Sequence, residues 1–424
     1  MSRLGIDPEF ALIHSSSGKG RSAHLFMGVG ADGVGAENKI VTYEKTQIGA
    51  EMDRDGTNLE VRSLAPTACR DNLVPYVAEA MRQTQLKLEE WNGGKYYMST
   101  RATYELDLVS FKNNPPQDVV EWGCRPDVDA YTLTPKQPDP PNSRQRFTGG
   151  HLHLSNIKTE INNIRAQAAV AVVHDYFIGL PLVAILGEEF ASGEAERRKY
   201  YGQAGSFRFN IIEPKEKWDS PVCKLEYRVL SGRIMLSPIL LTWAMGIQRC
   251  FLSHLYAVAD YESLLFDVLQ KKVKPSTVAK VINEHDVAGA RELYKTIFPL
   301  FPNYGTDGNA LKNTLAGGGG STRDVFFYEK MVDLFVAAND EGLVWKDDIK
   351  HNWGLYENYR PTHHAYWAIG VASVGLTDDT IFPQRPILER IMPAEVLAKK
   401  PVYTHPLHGG DKKYVVRGAA NWLL

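Results

Sequence analysis

Three segments far apart in the chain alternate polar and apolar residues with period two. They are Ile6-Asp7-Pro8-Glu9-Phe10, Thr148-Gly149-Gly150-His151-Leu152-His153-Leu154-Ser155 and Leu225-Glu226-Tyr227-Arg228-Val229. Side chains of a strand point alternately to opposite faces. Asp7 and Glu9 therefore share one face of a strand, as do His151 with His153 and Glu226 with Arg228. Leu152, Leu154, Leu225, Tyr227 and Val229 fall on the other face. A chain with these patterns has to set a sheet between a polar site and an apolar core. Pro8 lacks an N–H donor, so its strand is expected at a sheet edge or just beginning there. Gly149 and Gly150 leave space beside the backbone for a ligand.

The 424 residues suffice for one large domain with additions, or for two. A formal net charge of −2 supplies no overall field that favours nucleic acid or an anionic membrane. Cys69, Cys124, Cys223 and Cys250 are widely spaced and form no CxxC pair, which fits a reducing, cytoplasmic setting. Asp7 and Glu9 stand where a secretory signal would need an apolar run. The most apolar stretches, residues 166–187 and 234–252, contain His174 and Asp175, or Pro238, Gln248 and Arg249, and read as buried helices rather than membrane spans.

Gly28-Val29-Gly30-Ala31-Asp32-Gly33 matches GxGxxG, but no helix pattern follows, so a hairpin loop is expected there. Residues 69–91 carry Leu73, Val77, Met81 and Leu88 on one helical stripe, ended by Gly93-Gly94. Residues 96–111 alternate like a strand, and prolines break 115–141 into loop and short strands. A mostly helical run covers 158–186 with Pro181 as a kink, and 206–231 reads as a hairpin pair. A long apolar helix is expected over 237–270. The partition that follows is a catalytic region over 1–272 and a helical and irregular C-terminal part over 273–424.

Each polar group has an ordinary reading. Asp7 and Glu9 alone fit a solvated turn, and Glu60 with Arg62 fits a surface ion pair. His151 and His153 fit a structural pair, and Glu226 with Arg228 fits a strand-face salt bridge. Neutral imidazole is also a transition-metal ligand, and it can join carboxylates around Mg2+ or Mn2+. Cys124 has no identifiable base beside it, so a pocket wall formed with Asp127 suits it better than a nucleophile's role. Trp353, His363, His364, His405 and His408 carry no fixed geometry, and packing is the default for them.

The order of the segments is more specific than any one of them. Acid-x-acid, then Glu with Arg, then GGHxH, then ExR resembles the glutamine synthetase-like carboxylate-amine ligases, and more closely the phage-associated COOH-NH2 ligase type 2 family. Supporting segments are Gly5-Ile6-Asp7-Pro8-Glu9-Phe10, Gly123-Cys124-Arg125-Pro126-Asp127 and residues 197–208, so the likeness covers about 4–235. It implies an α+β, glutamine synthetase-like catalytic domain with a curved, largely antiparallel sheet backed by helices. It also implies two divalent ions, Mg2+ or Mn2+, held by Asp7, Glu9, Glu60, His151 and Glu226. By the same likeness His153 and Arg228 face the phosphates of ATP or the acyl-phosphate, with Glu226 among the catalytic groups. The sequence departs from the synthetases in Asp7, where they have glutamate, and one further metal-binding glutamate has no match.

Arginine adds a planar donor fork for phosphate or carboxylate. Arg198 and Arg208 flank the turn Tyr201-Gly202-Gln203-Ala204-Gly205, whose amides can approach phosphate, and are expected to bind the nucleotide. Arg62, Arg146, Cys124, Asp127 and Tyr201 are the expected substrate contacts. The activity implied is ATP-dependent joining of a carboxylate to an amine on an amino-acid or peptide-like substrate, as in peptide modification. The expected partners are thus small-molecule or peptide substrates, with no membrane or general nucleic-acid affinity and a homo-oligomer as in similar enzymes. Two rivals stay open. One is a Zn2+ hydrolase that uses HxH and carboxylates to activate water. The other is a non-catalytic structural or binding protein on a retired ligase scaffold.

Overall fold

A computed structural model describes residues 3–29, 37–43, 49–63, 70–112, 115–120, 127–136, 144–157, 163–212, 222–254, 261–302, 304, 325–342, 345–353, 355, 402–404 and 413–415. Cys124, the Gly30–Gly33 half of the glycine motif, Gly317–Gly320, His363, His364, His405 and His408 lie outside the described residues.

The chain forms an α+β structure around a mostly antiparallel open sheet. In chain order the strands as far as residue 227 are β1 (Arg3–His14), β2 (Gly20–Arg21), β3 (Ile40–Tyr43), β4 (Gly49–Asp55), β5 (Asn58–Ser63), β6 (Tyr96–Ser99), β7 (Thr103–Glu105), β8 (Asp127–Asp129), β9 (Thr134–Lys136), β10 (Gln145–Phe147), β11 (Gly150–Ile157), β12 (Ser206–Ile212) and β13 (Val222–Tyr227). The sheet runs β3-β4-β5-β1-β11-β13-β12-β8-β9, with β2 and β6 also on β1, while β7 and β10 make a separate ribbon.

The strand that carries Pro8 is central, against the expectation of an edge. β1 pairs with β11 from Arg3 to Pro8, then with β5 at Glu9 and Phe10, then with β6 from Ala11 to His14. Pro8 closes the β11 ladder opposite Gly150, where the strand changes partners. A missing donor is tolerated at such a point.

Register aligns the apolar alternation into rows. Ile6, Leu152, Tyr227 and Phe207 lie opposite one another across four strands, as do Leu4, Leu154 and Leu225. All of these are buried in one hydrophobic core. That core is completed by helices. Helix α1 (Arg70–Glu90) follows the expected stripe through Val77, Met81 and Leu88, all buried. Helix α2 (Ile164–Leu186) is long and apolar enough to cross a membrane, yet from Ala166 onward it lies buried inside the fold, with Ile164 exposed at its start. It contains a π-helical turn at Asp175–Gly179, just before Pro181. The freed register there lets Asp175 accept hydrogen bonds from Tyr227 (2.6 Å) and Tyr131 (2.7 Å). Next come α3 (Ala191–Tyr200), α4 (Pro238–His254), α5 (Pro275–Glu284), α6 (Val287–Ile297), α7 (Val325–Asp340) and α8 (Ile349–Trp353). Val278, Ile282, Tyr294 and Tyr328, from beyond residue 272, share the core with the sheet's apolar face. Trp353 is fully buried and donates to the Met235 carbonyl at 2.7 Å, a packing role as expected. The alternation over 96–111 is divided between β6, β7 and a 3₁₀ turn at Leu108–Phe111 that Asp107 caps.

Two buried histidines make this core acid-sensitive. Burial pulls His174 down to about 4. Burial, reinforced by the Arg198 charge, does the same to His285. A base depressed in the folded state contributes stability that is complete above its unfolded pKa near 6.5 and lost as pH falls toward 4. Asp175, pushed up to about 7 by burial, works the other way over pH 4–7. The two histidines are expected to withdraw stability on acidification below about pH 6.5, with a full share of about 3 kcal/mol each, read by urea unfolding as the difference between wild type and a histidine variant. His174→Gln should remove one share. Asp175→Asn should steepen the acid loss.

Candidate functional site

On the opposite face of the sheet the register assembles the polar residues into rows. Arg208, Glu226 and His153 lie side by side across β12, β13 and β11. Asp53, Glu60 and Glu9 do so across β4, β5 and β1, and Asp7 stands opposite His151. The even register keeps every one of them on the same face.

Two groups of ligand atoms result. In the first, Asp7, His151 and Glu226 each offer one atom within 4.8 Å of the others. His151 Nδ1 is 3.2 Å from Asp7 Oδ1 and 3.4 Å from Glu226 Oε1, while His153 Nε2 is 2.7 Å from Asp7 Oδ2. In the second, Glu9, Asp55 and Glu60 meet the same distance criterion, with Asp55 at the solvent rim. Asn58 Nδ2 (2.6 Å) and the Gly149 N–H (2.9 Å) both donate to Glu9 Oε2, which fixes that carboxylate.

Gly149 separates the two groups. A Cβ there would stand 2.4 Å from His151 Nε2 and 3.1 Å from Glu9 Oε1. A Cβ on Gly150 would meet the Ser231 carbonyl oxygen at 2.2 Å. The space beside both glycines is thus filled by the protein's own groups rather than left for a ligand.

The electrostatics of the two groups differ. Burial raises Asp7, but His153 and His151 beside it hold it far below the usual carboxylate range. Burial likewise acts to raise Glu226, and the Arg228 guanidinium overrides it and brings the carboxyl down to about 2. His151 is pulled to about 4, first by burial and then by Arg228, so it is a neutral imidazole. Glu9, by contrast, is pushed up to about 8 by burial and by the neighbouring Asp55. Glu60 is raised well above its ordinary value by burial and the charges of Asp7 and Asp55. Buried carboxylates in this excess hold protons that a divalent cation would displace.

Arginines border both groups. Arg228 Nη1 donates to Glu226 Oε1, its Nε is 2.9 Å from Asp127 Oδ1, and its Nη2 donates to the Tyr201 hydroxyl at 2.6 Å. Arg208 Nε lies 3.2 Å from the same Asp127 oxygen, with Nη1 4.0 Å from Glu226. Arg62 pairs with Glu60 (3.0 Å), with Glu51 (3.3 Å) and with Asp53.

Thus Asp7, Glu9, Glu60, His151, His153, Glu226, Arg228, Arg208, Arg62, Asp127 and Tyr201 converge on this face. Two expected residues do not. Arg198, expected at the nucleotide, is buried against Glu194 (3.1 Å) and His285 (3.2 Å) in the helical layer. Arg146, expected at the substrate, lies on the separate β7–β10 ribbon and donates to the carbonyls of Gln145 (2.8 Å) and Val119 (2.7 Å).

The structure adds Asp55, Asn58, Asp53, Glu51 and Arg197. The first four had a signal. Glu51, Asp53 and Asp55 alternate with period two along β4, just as Asn58, Glu60 and Arg62 do along β5. Arg197 had none, since it is one basic residue of a helix. Compared with models of known protein families and with curated proteins, the chain matches none.

Proposed function

We propose that the chain is an ATP- and Mg2+-dependent carboxylate-amine ligase with a glutamine synthetase-like catalytic domain over residues 1–272. One observation carries this reading: two distinct groups of ligand atoms lie on one sheet face, on either side of Gly149, with Arg228 and Arg208 beside them. A merely solvated face would balance its charges locally, whereas Glu9 and Glu60 sit buried among more carboxylates than the nearby cations offset.

The donor set fits the metal. Five carboxylates and one imidazole favour hard, oxygen-seeking Mg2+ or Mn2+ over Zn2+. Asp7, His151 and Glu226 would hold one ion, and Glu9, Asp55 and Glu60 the other. When bound, such ions supply charge neutralisation between the phosphate oxygens and a substrate carboxylate.

The protein's own groups do the rest. Arg228 and Arg208 offer guanidinium donors to the transferred phosphoryl group, exchanging Asp127 and Glu226 for phosphate oxygens. A substrate carboxylate attacks the γ-phosphorus of ATP and releases ADP. An amine then attacks the acyl-phosphate carbon, forms the amide and releases phosphate. Amino-acid or peptide-like substrates fit this chemistry.

Incubation with ATP, Mg2+, hydroxylamine and a panel of amino-acid and peptide carboxylates is expected to yield ADP and a hydroxamate in equal amounts. No ADP and no hydroxamate across that panel would overturn the reading. Zn2+-dependent hydrolysis without ATP would favour a hydrolase instead.

A further inference from the structure

Tyr201 closes the end of α3, where its backbone N–H donates to the Arg197 carbonyl at 2.8 Å. Its ring is buried close to two guanidiniums, 4.7 Å from Arg197 and 5.3 Å from Arg228 measured to the ring centre. The hydroxyl is hydrogen-bonded to His151 Nε2, and Arg228 Nη2 donates to it at 2.6 Å. One phenol oxygen thus touches both a metal-ligand candidate and the arginine that faces the phosphate.

His151 turns Nδ1 toward Asp7 and Glu226 and Nε2 toward Tyr201. A cation among Asp7, His151 and Glu226 needs a bare Nδ1, which leaves the single ring proton on Nε2. Nε2–H then donates to the Tyr201 oxygen. That oxygen has two lone pairs, one for His151 and one for Arg228. Without the cation, Nδ1–H can donate to Asp7 and the tyrosine can donate to Nε2. The same atoms therefore serve both states: the ring proton passes from Nδ1 to Nε2, the cation replaces the Nδ1–H to Asp7 contact, and the His151–Tyr201 hydrogen bond reverses.

We infer that Tyr201 is a positioning residue that accepts from His151 Nε2–H in the metal-binding tautomer, holds the ring with Nδ1 toward Asp7 and Glu226, and ties it to Arg228 through one oxygen. This assigns the hydroxyl a task other than substrate contact, and it rests on the metal reading given above. Partners of this kind behind a ligating histidine characteristically contribute roughly 10- to 100-fold to metal affinity.

The test titrates Mn2+ alone into the full chain, followed by the loss of the free-ion paramagnetic resonance signal. Tyr201→Phe keeps the ring and its stacking and is expected to bind Mn2+ roughly 10- to 100-fold more weakly, with a urea midpoint close to that of the wild type. Independently of any variant, nitrogen-15 spectra of histidine-labelled wild-type protein are expected to show the His151 proton on Nε2 once Mg2+ is added. Unchanged Mn2+ affinity in Tyr201→Phe, or a proton that stays on Nδ1 with Mg2+ bound, overturns the inference alone. A wild-type chain that binds no Mn2+ overturns it together with the metal reading. Weakened Mn2+ binding in the variant, with no hydroxamate from the wild type, supports the role of Tyr201 and removes only the ligase.

Discussion

Glu60→Gln is expected to stabilise the metal-free protein and, at the same time, to abolish its Mg2+ response. Glu60 is buried opposite Glu9 on the neighbouring strand, with Asp55 completing the group. Its carboxyl is raised in the folded state by burial and by Asp7 and Asp55. An acid raised in the folded state contributes stability that is complete below its unfolded pKa and lost as pH climbs through the folded value. Glu9, raised to about 8, adds the same trend. These two acids therefore draw stability from the metal-free protein from about pH 4.5 upward, against the opposite trend of His174 and His285, each acid costing about 1.4 kcal/mol for every pH step between its unfolded and folded values. A neutral glutamine at position 60 relieves this repulsion most at pH 8–9. Arg62 keeps Asp53 and Glu51 as partners in that variant. With Mg2+ the order inverts. Saturation at a hundred times Kd stabilises the wild type by about 2.7 kcal/mol, and the variant forfeits this along with at least about 100-fold in hydroxamate formation. Urea midpoints at pH 5 and pH 9, with and without Mg2+, read both arms. A variant no more stable than wild type at pH 9 without metal would sink the account of this cluster.

Arg197→Ala is expected to give the largest loss of stability. The guanidinium is fully buried. Its Nε donates to the Thr148 carbonyl (2.8 Å), Nη1 to Val229 (2.9 Å) and Nη2 to Leu230 (2.8 Å). It thereby joins the segment before β11 to the one after β13, with its guanidinium 4.7 Å from the centre of the Tyr201 ring. Gly202 is fitted to it. With φ of +65° and a would-be Cβ 2.3 Å from Arg197 Nη1, only glycine serves at that position. Truncation takes the arginine donor from the buried carbonyls of Thr148 and Val229, each costing about 1–3 kcal/mol before relaxation, while the Leu230 carbonyl keeps the Gly150 N–H at 2.8 Å. An unfolding loss of about 3–5 kcal/mol follows. Arg197→Lys should recover less than half, since one ammonium cannot reach carbonyls spread along a planar fork. A loss below about 1 kcal/mol in the alanine variant would show that water satisfies those carbonyls and that the clamp is dispensable.

The period-two patterns made the polar face readable from the letters alone. A strand's alternation is covalent, so Asp7 with Glu9, His151 with His153 and Glu226 with Arg228 had to share faces. Neighbours across a sheet are tertiary, which is why Pro8 suggested an edge although its strand is central. The acids of β4 were legible in principle, but Asp55-Gly56 reads first as a turn and hides the strand before it. Arg197 and Arg198 show the limit for helices. Successive residues point about 100° apart, and one sequence does not say which side of α3 meets the sheet. Arg146 failed for a similar reason: its alternation is genuine but belongs to a ribbon outside the main sheet. The long helix α2 was identified as buried from its His174 and Asp175, and the π turn that accommodates Asp175 carries no sequence signature.

β1 pairs with β11 as far as Pro8 and with β5 from Glu9, and Asp7 and Glu9 sit on either side of that exchange. The backbone offset between Asp7 and Glu9, one from each candidate cation group, is thereby a single dipeptide step of extended chain, about 6.7 Å. It behaves as a ruler made of covalent bonds, which fixes the spacing of the two groups at the backbone. Adding one residue at Pro8 would turn Glu9 into the hydrocarbon interior and leave Asp7 behind, separating the two halves of the site in one edit.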